Sequence, residues 1–290
     1  EKTASARKQK RRVSVSGMLK YLGVSRSGYH SWVNRTPTDA EKRREYIKTK
    51  IQDIYDASKQ NYGAPKITRK LRQNGEIISE RTVGKYMKEM GIKAKWVKPW
   101  TITTIDFDFN NELQNILNEQ FTPDRPNAVW CSDITYIWTT DGFVYLTSII
   151  DLFSRKIIAW TLSQTLEVSC VIDTIGKAKA RRSTELSLII HSDRGSQYVS
   201  QAYREATAKM QRSYSRKAFP WDNACIESFH ALIKREWLNR FKIHDYRQAY
   251  RLVFEYIEAF YNTKRIHSHC DFLSPNDFEL LYEQTQTNCS

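Results

Sequence analysis

Three consecutive runs, AVWCSDITYIWT (128–139), FVYLTSIIDLF (143–153) and RKIIAWTLS (155–163), are rich in β-branched, aromatic and aliphatic residues. Only short breaks such as TTDG separate them, so they read as a meander of strands. EVSCVIDTIGKAKARR (167–182) changes the period: Val168, Val171, Ile172 and Ile175 form one apolar stripe at helical spacing. LSLIIHSD (186–193) is then apolar up to its polar end, the pattern of a buried central strand. A helix at about 200–210 and a weak strand near Gln211–Tyr214 follow. This order predicts an α/β class in which helices cover a mixed five-stranded sheet.

Three acids sit awkwardly in that pattern. Asp133 lies inside the first strand, and Asp193 ends the fourth, after Ile189 and Ile190. A carboxylate on a half-buried strand costs several kcal/mol unless a cation or hydrogen bonds compensate it. The third acid is on the helix predicted in WDNACIESFHALIKREWLN (221–239), which Asp222 would cap. Ile226, Phe229, Ile233 and Trp237 form its apolar stripe; Glu227 stands at the stripe's edge, with Asn223 and Lys234 on its own face. Carboxylates converging from a strand, a neighbouring strand end and a helix could hold two Mg²⁺ or Mn²⁺ ions about 3.5–4 Å apart. Such a pair activates water or a 3′-hydroxyl and steadies the leaving oxygen in phosphodiester transfer. Exposed strand-end acids are the plain alternative.

The net positive charge is confined to the other end. Residues 1–100 carry 25 Lys and Arg against 9 Asp and Glu, a net of +16, whereas residues 101–290 carry 21 against 23. A polyanion is the natural partner of such a basic third. After a basic lead (1–12), Leu19 and Leu22, the stop at Gly23 and the cap at Ser25 give a first helix-turn-helix within 1–35, with Arg26 opening its second helix. Within 36–95, Thr38 to Glu41 read as a capping box, and Ile47, Ile51, Ile54 and Tyr55 share a face. YGAPKITRKLRQNGEIISERTVGKYMKEMGI then supplies a second helix-turn-helix, capped by Ser79 and closed by Gly91, whose solvent face shows Arg81, Lys85 and Lys88 to DNA. A basic solvated bundle is the bland reading. Residues 96–126 are a connector with a short helix at 111–121, and 127–285 form the acidic core.

No apolar run approaches the ~20 residues of a membrane span, and the basic N-terminus lacks the apolar segment of a signal peptide. Five cysteines, an odd number with no C-x-x-C pair, fit a reducing cytoplasm. His267, His269 and Cys270 are close enough in sequence to raise zinc, but no second ligand pair exists elsewhere.

The order of strands and helices is similar to the ribonuclease-H-like fold. CSDITY, HSDRGSQY and WDNACIESFHALIKREW resemble the three acidic motifs of bacterial insertion-sequence transposases of the IS-three family, whose core is of the retroviral-integrase-like DDE type. YNTKRIHSHCDFLSPNDFE resembles the family's closing signature, and the resemblance covers about 15–282. It implies that Asp133, Asp193 and Glu227 are the metal-binding catalytic triad, with Asp133 bridging two ions. It implies that Lys234 and Asn223 contact DNA, and that His191, Gln197, Tyr198 and Trp221 shape the pocket, although His191 could equally be a satisfied core residue. Thirty-three residues separate Asp193 from Glu227, slightly fewer than is usual in the family, and the gap falls near Lys209–Ser213. His269-Cys270-Asp271-Phe272 replaces the leucine–glycine–aromatic step of the closing signature.

The expected activity is therefore that of a DNA transposase. It binds terminal inverted repeats through the basic third, then cleaves and transfers strands with divalent metal, acting on double-stranded DNA as at least a homodimer in the bacterial cytoplasm and nucleoid. The N-terminus shows no leucine-zipper heptads, which in the family it resembles belong to an upstream reading frame; the resemblance therefore implies that this chain is the downstream product, with the upstream product as a candidate partner. The alternatives are a ribonuclease-H-like nuclease that only hydrolyses, and a non-catalytic DNA-binding regulator.

Overall fold

Capping side chains set the helices of the N-terminal third. The computed structural model describes residues 14–94, 113–182, 187–216 and 219–288. Ser14 opens α1 (Val15–Tyr21) by accepting from Gly17 N–H, and Ser25 opens α2 (Arg26–Val33) by accepting from Gly28 N–H at 3.0 Å. Gly23 between them takes a left-handed φ of +66°, which disfavours any residue with a Cβ. Thr38 and Glu41 form the expected reciprocal box: Glu41 N donates to Thr38 Oγ1 at 3.2 Å, and Thr38 N donates to Glu41 Oε2 at 2.9 Å. That box starts α3 (Asp39–Ala57). α4 (Ala64–Gln73) and α5 (Glu80–Glu89) bury Ile67, Leu71, Val83 and Met87, and Ser79 caps α5 through Thr82 N–H.

The chain divides into two compact units, Glu1–Asp53 and Ile54–Ser290. The division falls inside α3, so α4 and α5 belong to the unit that holds the sheet. The basic lead, most of the expected connector and Cys289 lie outside the described residues.

One expected element is corrected. Residues 113–121 are not helical. Ile116 N and Leu117 N donate to Ser213 Oγ at 2.9 and 3.0 Å, and Tyr214 N donates to Gln114 O at 3.0 Å. The backbone groups that a helix would have paired internally are taken by the edge of the sheet, and Asn118 and Glu119 turn the chain with positive φ.

The sheet has the order β3-β2-β1-β4-β5. β1 (Val129–Thr139), β2 (Gly142–Asp151) and β3 (Ile157–Ser163) form the antiparallel meander, and β4 (Ile189–Ser192) and β5 (Gln211–Tyr214) extend it in parallel. Alternation along β1 sends Trp130 into one core and Cys131 into the other. The Trp130 core is closed by α6 (Val168–Arg181) and α7 (Gln201–Ala206). The Cys131 core is closed by α8 (Ala224–Glu236) and by α9 (Tyr246–Tyr256), which runs on into a π turn at Ile257–Tyr261. Ile226, Phe229 and Ile233 of α8 are at most 1% exposed, each stabilising by about 1.5–3 kcal/mol, so α8 is held firmly over β1. α10 (Pro275–Asn288) completes the described fold. No helix among the described residues is long and apolar enough to cross a membrane.

Candidate active site

Strand register places two of the three acids side by side. Ser132 of β1 pairs with Ser192 of β4 in parallel, so Asp193, the next residue, leaves the sheet beside Asp133. α8 packs on β1 and brings Glu227 to the same place. Asp193 and Glu227 feel the charge of neighbouring acids. Burial, then the charge of Asp133, pushes Asp193 up to about 6, with the Gly195 N–H opposing. Burial, then Asp133 and Asp193, pushes Glu227 up to about 7. The Gly195 N–H donates to Asp193 Oδ1 at 2.9 Å. A Cβ at position 195 would lie 3.0 Å from that oxygen and 3.3 Å from Gln197 Oε1, so glycine permits this close approach.

Lys234 Nζ lies 4.5 Å from the centre of the Tyr136 ring. Burial lowers its pKa, and the charge of Asp133 opposes that shift. Gln197 is half-buried beside the Asp193 turn and donates to Leu166 O. Trp221 is 68% exposed. Asn223 is buried at the start of α8, and its Oδ1 is buried without a partner. Arg26 is exposed on α2, and Arg81, Lys85 and Lys88 are exposed on α5, as the amphipathic pattern predicts.

His191 and Tyr198 are core residues. His191 is fully buried between Ser213 Oγ at 2.9 Å and Ser215 Oγ at 3.1 Å, and burial lowers its pKa to about 4, so it is neutral. Tyr198 is 1% exposed in the Trp130 core, its hydroxyl 3.0 Å from Ser132 Oγ. Asp222 does not cap α8, contrary to the sequence pattern. Its carboxylate accepts from the Arg216 backbone N–H at 2.6 Å and from the Arg216 guanidinium through Nε and Nη2 at 3.0 and 2.8 Å, so Arg216 occupies it rather than the helix start.

Two contacts went unforeseen. His230, three residues after Glu227, is buried, with Nδ1 3.2 Å from Asp133 Oδ2 and Nε2 2.6 Å from Ser148 Oγ. Its sequence signal was its place one turn beyond Glu227, where the apolar stripe drew attention to Phe229 instead. Asp151 is a fully buried acid of β2, raised to about 6 by burial, but it is committed to Asn127 N–H and Phe153 N–H.

The donor set suits hard divalent cations. Among the described residues no three His, Cys, Asp or Glu side chains stand together as ligands for a single ion. A two-ion site bridged by one carboxylate needs only two protein ligands per ion, with water and phosphate oxygens completing each shell. Carboxylates whose ionised forms repel one another fit that demand. The zinc candidates are otherwise engaged: His267 packs edge-to-face against Tyr261 at 4.8 Å, His269 Nε2 meets Phe153 O at 3.1 Å, and Cys270 Sγ meets Ser154 O at 3.1 Å.

Comparison with known proteins agrees with this architecture. Family models for an integrase core domain match residues 123–219 and 208–275, and one for an HTH-like domain matches 41–100. The chain is 37% identical to the transposase for insertion sequence element IS904 of Lactococcus lactis over 249 residues, covering 85% of this chain and 98% of that protein. It is 33% identical to transposase InsF for insertion sequence IS3A of Escherichia coli over 270 residues, covering 92% and 94%. Among solved structures, the HTLV-2 integrase catalytic core domain in complex with magnesium matches 53% of this chain and 97% of its own, at 16% identity and a TM-score of 0.41.

Proposed function

The chain belongs to the IS3 family of insertion-sequence transposases, with an integrase core and an HTH-like region, and we propose that it binds the terminal inverted repeats of its element and then cleaves and joins DNA strands at Asp133, Asp193 and Glu227. The observation that carries this reading is the convergence of three carboxylates from β1, the end of β4 and α8, two of them held at raised pKa by burial and then by the charge of neighbouring acids, Asp133 first.

Asp133, Asp193 and Glu227 would together hold two Mg²⁺ or Mn²⁺ ions. Such ions supply an activated hydroxyl nucleophile and neutralise the leaving oxygen. The chain's own part is positioning. The Gly195 N–H fixes the Asp193 carboxylate. Lys234, beside Asp133 and steadied on the Tyr136 ring, offers an ammonium to the DNA backbone. The exposed α5 face with Arg81, Lys85 and Lys88 takes duplex DNA, and Arg26 of α2 adds a contact. Joining two element ends requires at least a dimer on DNA, working where the chromosome is, in the cytoplasm and nucleoid.

The test incubates the full chain with Mg²⁺ and labelled duplexes from the DNA flanking its gene. Site-specific 3′-hydroxyl ends and joined strands support the reading. Hydrolysis without joining would leave a nuclease. Tight, metal-indifferent binding with no product would point to a regulator or to a missing upstream-frame partner.

A further inference from the structure

His230 lies across a cross-strand pair. In the β1–β2 register Asp133 stands directly opposite Ser148, and directly opposed side chains leave the same face of the sheet. α8 closes that face and drops the imidazole between them. Nδ1 is 3.2 Å from Asp133 Oδ2, and Nε2 is 2.6 Å from Ser148 Oγ. The ring is 5% exposed and Ser148 is fully buried. An ionised carboxylate only accepts, so Nδ1 carries the proton and donates to Asp133; Nε2 then accepts from the Ser148 hydroxyl.

Resting on the triad reading above, we infer that His230 is a positioning residue for Asp133: Ser148 braces the far nitrogen of the ring, and the Nδ1–H holds Oδ2 so that the Asp133 carboxylate is oriented for the divalent cations. Three features support this. The two side chains the ring joins are fixed by the backbone pairing of β1 with β2. The ring belongs to the helix that carries Glu227, three residues earlier and on the same side, so one contact also sets the spacing of Glu227 from Asp133. Carboxylates that ligate metals are themselves held by hydrogen bonds, and loss of such a partner weakens metal binding roughly 10- to 100-fold.

The experiment exploits the two ends of the ring. His230→Asn keeps a donor near the Nδ1 position and loses the link to Ser148. His230→Gln reaches toward the Nε2 position and loses the donor to Asp133. Mn²⁺ binding to the full chain, without DNA, is measured by the loss of the free-ion electron paramagnetic resonance signal, alongside the Mg²⁺ dependence of cleavage and the melting temperature. The expected order is wild type, then His230→Asn within a few-fold, then His230→Gln weaker by roughly tenfold or more. Ser148→Ala, at the far side of the ring and least harmful to folding, should weaken Mn²⁺ binding a few-fold. Equal losses in Asn and Gln variants, or unchanged Mn²⁺ affinity in both Gln and Ser148→Ala variants, would overturn the inference. Asp133→Asn is the control: if it leaves Mn²⁺ binding intact, the triad reading fails, whereas loss there with none in His230→Gln sinks only the role of His230.

Discussion

Arg265 grips Glu236 in a buried, two-pronged ion pair, with Nη2 2.7 Å from Oε1 and Nε 2.8 Å from Oε2. Both side chains are under 10% exposed, and Tyr256 donates a further bond to Oε2 at 2.8 Å. Glu236 is the last residue of α8, the helix that carries Glu227 in its first turn. Removing one partner of a buried pair strands the other charge, at a cost of about 3–5 kcal/mol. Arg265→Met should lower unfolding stability by that amount in urea titration. The double variant with Glu236→Leu should recover much of the loss. Equal stability of Arg265→Met and wild type would show that the pair is not structurally important.

Arg81 and Lys85 lie on the exposed face of α5. Each phosphate neutralised contributes about 0.9 to the log–log dependence of DNA affinity on salt. Arg81→Ala and Lys85→Ala should each weaken binding across sequences and reduce that slope by roughly one. Fluorescence anisotropy at several salt concentrations measures it. An unchanged slope in both would remove α5 from the interface.

The sheet and the acidic positions were legible in the sequence because local patterning decides them. β-branched and aromatic content between short turns marked the three meander strands, and the i, i+3, i+7 stripe of Ile226, Phe229 and Ile233 is the face α8 buries. What escaped was chosen by tertiary competition. The run 111–121 has helical composition, yet its described part gives its N–H groups to Ser213 of β5. Asp222 has the composition of a cap, yet Arg216 claims it. His230 sits beside an apolar stripe, and only the β1–β2 register shows that Asp133 and Ser148 flank it. Register across strands is long-range information that no spacing along the chain carries.

His191 makes stability pH-dependent. Burial holds its folded pKa at about 4, with the charge of Asp222 opposing, against an ordinary 6.5. The unfolded chain takes up a proton below 6.5, and the folded chain does so only near 4. The folded state therefore keeps its full advantage above 6.5 and loses it as pH falls toward 4, by about 3 kcal/mol in all. His191→Asn should lose less stability than wild type between pH 7 and 4.5. Parallel declines in the two proteins would mean that other groups drive acid unfolding.

Glu227 acts in the opposite direction. Burial, followed by the charges of Asp133 and Asp193, raises its folded pKa to about 7 from an ordinary 4.5. A raised carboxylate destabilises the folded state where it is ionised. The cost is absent below 4.5, grows through the interval and is complete above 7. Glu227→Gln removes it, so the metal-free variant should melt above wild type at pH 8 and close to it at pH 5. Divalent cation reverses the comparison, because an ion that binds the folded state stabilises it in proportion to occupancy. Wild type should gain melting temperature in Mg²⁺ or Mn²⁺, and Glu227→Gln should gain less. The same variant should bind element ends with near-wild-type affinity and yield no cleaved or joined strand. A pH-independent difference in melting would show that Glu227 does not share the field of Asp133 and Asp193, and cleavage by the variant at wild-type rate would remove Glu227 from the site.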